Sequence, residues 1–76
     1  MKIQIINGPN LNLLGKREPE KYGMLTFEEW LTNLRPAYPL IEFDYFQSNI
    51  EGELINKIHE AGFSCNGIIL NPGGYS

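Results

Sequence analysis

Two segments with helical spacing lie between three short apolar runs, and this alternation restricts the chain more than any other feature of its sequence. The first run, Ile3-Gln4-Ile5-Ile6, is β-branched and ends on Asn7-Gly8-Pro9-Asn10, the signature of a strand closed by a turn. Thr26 and Glu29 have the spacing of a capping box, and Leu25 can staple onto Trp30. Phe27, Trp30, Leu31 and Leu34 then fall at i, i+3, i+4 and i+7, which predicts an amphipathic helix ending near Arg35-Pro36 with Phe27 and Trp30 in the core. Ile41, Phe43 and Tyr45 alternate with Glu42 and Asp44, the pattern of a strand buried on one face, expected at a sheet edge. Ser48 and Glu51 offer a second capping box before a stripe of Ile50, Leu54, Ile58 and Ala61, with Gly62 as the stop and Glu53 and Lys57 as an outward i, i+4 pair. Gly67-Ile68-Ile69-Leu70 is continuously apolar, as a central strand covered on both faces must be.

The resulting order, β, loop, α, β, α, β, implies right-handed crossovers and an α/β fold with a parallel sheet. An alternating second strand at the edge and an apolar third strand inside give the order 2-1-3 of a flavodoxin-like sheet. The switch point then lies between strands one and three, where the turns at residues 7–10 and 71–74 meet. Residues 1–76 hold only three strands, so the third has an open outer edge and the chain reads as a truncated domain. A chain of 76 residues buries only about 60% of its unfolded surface, which points the same way.

Composition excludes several classes of function. With 42% hydrophobic and 20% charged residues the chain is outside the regime of disorder, and a net charge of −3 gives no general attraction to nucleic acid or to an anionic membrane. No run of about 20 apolar residues is present and the N-terminal run is too short for a signal peptide, so a cytoplasmic protein is expected. Cys65 has no second cysteine to pair with, no histidine pair suggests a metal, and neither a Gly-x-Gly-x-x-Gly turn nor a Walker lysine suggests a nucleotide; no metal or cofactor is expected. His59 reads as a surface residue, and Glu28, Glu29, Glu42, Asp44, Glu51 and Glu53 as caps or solvated faces.

Chemistry is expected instead at Asn10 and Asn71 on the switch-point turns, and on the loop of residues 11–25, which is punctuated by Gly15, Pro19 and Gly23 and carries Arg17 and Tyr22. The run Asn7-Gly8-Pro9-Asn10-Leu11-Asn12-Leu13-Leu14-Gly15-Lys16-Arg17-Glu18-Pro19, with Tyr22-Gly23, resembles the opening motif of type II 3-dehydroquinate dehydratases. So does the stretch from Tyr45-Phe46-Gln47-Ser48-Asn49 to Leu54-Ile55, and the resemblance continues through Ile58-His59 and Ile69-Leu70-Asn71. It implies that residues 1–76 are the N-terminal part of a single flavodoxin-like domain, in a lyase that dehydrates 3-dehydroquinate through an enolate, without cofactor, in trimers assembled into dodecamers.

By the same resemblance, residues 11–25 are an active-site lid, Tyr22 is the base that removes the C2 proton, and Arg17 lowers the pKa of that tyrosine. Asn10 holds the water associated with the enolate oxygen, and Asn71 hydrogen-bonds the substrate. Ionising a tyrosine of reference pKa ~10 at pH 7 costs ~4 kcal/mol, which an arginine within ~4 Å can supply only at an effective dielectric of ~20, so the lid must exclude water. The histidines, supporting glutamate and carboxylate-binding arginine of the family fall beyond the equivalent of Ser76. Relatives often have Asn-Ala-Gly where this chain has Asn71-Pro72-Gly73, and the proline withdraws one backbone donor from that turn. A reading of another class is a non-catalytic module that binds small anions at the two turns or serves in assembly.

Overall fold

The computed structural model describes residues 1–9 and 26–75. The expectations for Asn10, for Arg17 and Tyr22 on the loop of residues 11–25, and for the Leu25 staple lie outside the described residues. In chain order the elements are β1 (Lys2–Asn7), α1 (Phe27–Leu34) with a 3₁₀ turn (Arg35–Ala37), β2 (Glu42–Gln47), α2 (Glu51–Ser64), β3 (Gly67–Asn71) and a short 3₁₀ turn (Gly73–Tyr75). The sheet has the order β2-β1-β3. Both pairings are parallel, from Lys2↔Glu42 to Asn7↔Gln47 on one side and from Ile3↔Gly67 to Asn7↔Asn71 on the other.

Strand alternation divides β1 between two faces. Ile5 packs with Leu31 and Phe43 in a core extended by Ile3, Phe27, Leu34, Ile41 and Tyr45, which is the face covered by α1. The other face buries Gln4 and Ile6, and there α2 buries Leu54 and Ala61. Gln4 is only 2% exposed, and its Nε2 donates to the carbonyls of Ile5 (3.3 Å) and Asp44 (3.2 Å), so a buried amide is hydrogen-bonded as it must be. The outer edge of β2 is engaged by Arg35, whose guanidinium donates to the Phe43 carbonyl at 2.6 Å.

Thr26 caps α1, accepting from the Glu29 N–H at 3.2 Å while donating its hydroxyl to the Glu29 carboxylate at 3.0 Å. Trp30 departs from its expected place in the core: it is 45% exposed and leans on Phe27 (ring centroids 5.2 Å), while Phe27 stacks on Tyr45 (4.8 Å). One aromatic layer between α1 and β2 suffices, and the second ring is left at its rim.

The start of α2 also differs from expectation. Ile50 is the N-cap and is 59% exposed, and Ser48 bonds not Glu51 but the Ile50 N–H (3.0 Å) and the Glu53 carboxylate. A serine two residues before the N-cap makes a local turn of its own, and this shifts the cap. Gly62 does not stop the helix, which runs to Ser64 and ends as Cys65 turns extended; Asn66 then bonds Lys2 in both directions, its N–H to the Lys2 carbonyl and its side chain to the Lys2 N–H, each at 2.8 Å. The expected Glu53–Lys57 pair is replaced, because Glu53 is held by Ser48. Lys57 turns toward the sheet, 3.9 Å from Asp44, 3.4 Å from Glu60 and over the Phe46 ring at 5.5 Å.

β3 takes its expected place beside β1, yet its apolar run is not covered. Ile68, Ile69 and Leu70 are 38%, 56% and 47% exposed, and β1 is the inner strand of the described sheet. Leu31→Ala should therefore cost about 2–5 kcal/mol by emptying a closed site, and Trp30→Ala less than half as much. Urea denaturation of the two variants checks this, and equal losses would put Trp30 back in the core.

Candidate active site

Open parallel sheets bind ligands beyond the carboxyl ends of their strands, at the point where the connections diverge. Here that end carries three carboxamides at one register level: Asn7 pairs with Gln47 on one side and with Asn71 on the other. All three residues lie at odd positions of parallel strands in register, so their side chains share the α1 face. Asn7 is buried, Gln47 half-buried and Asn71 exposed.

The turns that follow are joined through backbone. The Gly8 N–H donates to the Asn71 carbonyl at 2.8 Å, and the Ser48 N–H donates to the Asn7 carbonyl at 3.2 Å. Gln47 Nε2 donates to the Gly8 carbonyl and to Asn49 Oδ1, each at 3.1 Å. The first turn thus touches both of the others.

The approach of turns one and three is close enough to require glycine. A Cβ on Gly8 would lie 2.2 Å from the Pro72 carbonyl oxygen. Gly73 has φ +58° and faces the Pro9 carbonyl, which a Cβ would meet at 2.7 Å. Asn71, the one expected site residue within the described structure, stands at the junction, with its side-chain oxygen accepting from the Gly73 N–H at 3.3 Å. Sequence reasoning brought Asn71 and the two turns together but missed Asn7, Tyr45 and Gln47. Spacing along the chain gave no signal for them, because these amides fall in one row only once the register of the three strands is known.

Beneath this row Tyr45 stacks on Phe27, and its hydroxyl receives the Asn7 Nδ2 at 3.5 Å. Burial raises its pKa above the ordinary tyrosine value, the Asn7 hydrogen bond lowers it in part, and Glu28 nearby raises it further. The site-facing amides are neutral, and among the described residues no three of His, Cys, Asp and Glu gather to hold a metal ion. Elsewhere, a shallow groove lined by Phe46, Glu53, Asn56, Lys57 and Glu60 runs between β2 and α2, where Lys57 is already paired.

An open parallel α/β sheet with glycine-locked turns and amide donors at its switch point belongs to the class of folds that place a ligand site at that crevice. The chain belongs to the class II dehydroquinase family, whose sequence profile matches residues 1–76. It is 52% identical over 79 residues to a 3-dehydroquinate dehydratase of Clostridium perfringens (strain SM101 / Type A), covering 100% of this chain and 54% of that one. It is 46% identical over 81 residues to that of Helicobacter acinonychis (strain Sheeba), covering 100% and 48%. The type II dehydroquinase structure from Butyrivibrio crossotus superimposes with a TM-score of 0.81 at 49% identity, over 99% of this chain and 54% of that one. The one from Propionibacterium acnes gives 0.84 at 30% identity, over 99% and 53%. The chain therefore spans about half the length of the curated relatives it matches.

The shift at Tyr45 has a definite pH consequence. Its pKa is higher folded than unfolded, so its contribution is fully present below the unfolded value of ~10 and is lost as pH rises through the folded one. Tyr45→Phe should therefore lose less stability than the wild type above pH ~10. Melting temperature followed against pH for both proteins tests this, and identical alkaline limbs would assign the loss to other groups.

Proposed function

We propose that the chain is part of a hydro-lyase that converts 3-dehydroquinate to 3-dehydroshikimate, the dehydration step of the shikimate route to aromatic amino acids. The observation that carries this reading is the junction at the end of the sheet, where Asn71 stands exposed beside turns pinned by Gly8 and Gly73, in a chain whose relatives bear the name 3-dehydroquinate dehydratase.

In this reading Tyr22, as tyrosinate stabilised by Arg17, removes the C2 proton, and the electron pair of the broken C–H bond moves into the carbonyl to form an enolate. Asn10 orients a water at the enolate oxygen and Asn71 holds the substrate by hydrogen bonds. Collapse of the enolate then expels the C1 hydroxyl, which leaves as water with a proton from a general acid. Neutral amide donors suit the enolate oxygen, and removing one such donor typically costs ~3 kcal/mol of transition-state stabilisation. Residues 11–25 act as the lid that excludes water from the Arg17–Tyr22 pair.

The reaction needs no cofactor, and nucleic acid and membranes have no part in it. A homo-oligomer, the trimer-based dodecamer of the family, completes the proposed assembly. The free, half-buried thiol of Cys65 suits a reducing, cytoplasmic location.

In a protein of the relatives' full length, Tyr22→Phe should abolish turnover, followed by the ultraviolet absorbance of the conjugated product. Arg17→Ala should leave a residual rate that climbs with pH toward the ordinary tyrosine pKa of ~10. The double variant should be little slower than Tyr22→Phe alone, because residues acting as one unit are non-additive. Independent, additive losses would return Arg17 to binding substrate charge, and a wild-type protein without dehydratase turnover would end the reading.

A further inference from the structure

We propose that Gln47 is a positioning residue of the site, acting through the Gly8 carbonyl to hold the first turn against the third. Its catalytic consequence rests on the dehydratase reading above. The geometry behind it does not.

Gly8 is the point at which the first turn meets the ends of the other two strands. Its N–H is given to the end of β3, through the Asn71 carbonyl at 2.8 Å. Its carbonyl is held from the end of β2, by Gln47 Nε2 at 3.1 Å. Its bare Cα lies against the Pro72 carbonyl, where no side chain fits. Gln47 Nε2 also donates to Asn49 Oδ1 at 3.1 Å, just before α2. The peptide following Gly8 leads through Pro9, whose carbonyl faces Gly73, into the segment that begins with Asn10.

Without Gln47, the Gly8 carbonyl has no other described hydrogen bond, and the peptide plane it belongs to can rotate. Rotation of that plane alters the donor direction of its neighbours and the seating of Pro9 on Gly73. A displacement of about 1 Å in a group that orients a reacting atom can cost on the order of 10²-fold in rate while leaving ground-state binding nearly intact. Gln47 lies in β2, outside the two turns it helps to join, so its effect on chemistry is transmitted through Gly8.

Two variants at this position test the proposal in a protein of the relatives' full length. Gln47→Met keeps most of the side-chain volume and removes both donors. Gln47→Glu keeps the shape, places a carboxylate against a carbonyl at neutral pH, and regains an O–H donor when protonated. In Gln47→Met, amide exchange protection at Gly8 and Gly73 should fall about tenfold with Ile5 and Leu54 unchanged, and kcat for 3-dehydroquinate should fall ~10- to 100-fold with KM within ~3-fold. In Gln47→Glu, the lost protection at Gly8 should return as pH falls through the side chain's carboxyl pKa, ordinarily ~4.3. Unchanged protection at Gly8, an equal loss at Ile5 and Leu54, or an unchanged kcat would each overturn the positioning role. A wild-type protein with no dehydratase turnover would sink the function reading alone, since the exchange pattern at Gly8 still decides the clamp.

Discussion

Everything at the functional end of this sheet depends on how closely two backbones approach at Gly8. Parallel strands one and three bring their carboxyl ends together, but the turns that leave them can interlock only where neither carries a side chain. Gly8 against the Pro72 carbonyl and Gly73 against the Pro9 carbonyl meet that condition, and the Gly8 N–H bond to Asn71 closes the contact. Proline on each facing turn narrows the backbone choices of both, which lowers the entropy lost in joining them. The result is a rigid junction built from main chain, on which a few side chains can be aimed.

Those side chains are amides. Asn7, Gln47 and Asn71 form a row across the sheet, and an amide can donate to a developing negative charge without itself needing a counter-ion. A charged donor at such a point would attract any anion in a protein whose net charge is −3, and would carry a desolvation cost when covered. Lys57 sits instead on the opposite face, paired with Asp44 and Glu60 and resting on Phe46. Charge supports the helix and sheet contact there, while polarity without charge is kept for the strand ends.

The sheet itself is unevenly covered. On the α1 side Ile5, Leu31 and Phe43 are closed in, and on the other side Ile6, Leu54 and Ala61 are equally dry. β2 has its outer edge engaged by Arg35. β3, by contrast, shows three adjacent apolar residues to solvent on both faces. That exposure fits the comparison by length, since this chain corresponds to about half of each relative.

The order of strands, their parallel direction and the switch point were all legible in the sequence, because periodicity and capping residues are local physics and right-handed crossovers leave few ways to connect them. The motif around Asn7-Gly8-Pro9 and Asn71-Pro72-Gly73 likewise announced two glycine turns at one end of the sheet. Local spacing failed where a side chain had competing partners at several sequence distances: Ser48 chose Glu53 over Glu51, Lys57 chose Asp44 over Glu53, and Trp30 yielded its place in the core to Phe27. Helix length at Gly62 was also undecided by the residue, since a glycine can sit within a helix for about 1 kcal/mol and only the bonds between Asn66 and Lys2 set where the chain turns back. The joining of Gln47 to Gly8 and the row of amides with Asn7 required the register of three strands to be known. Register is a tertiary quantity, fixed by which faces of the sheet the two helices bury, and no residue along the chain carries it alone.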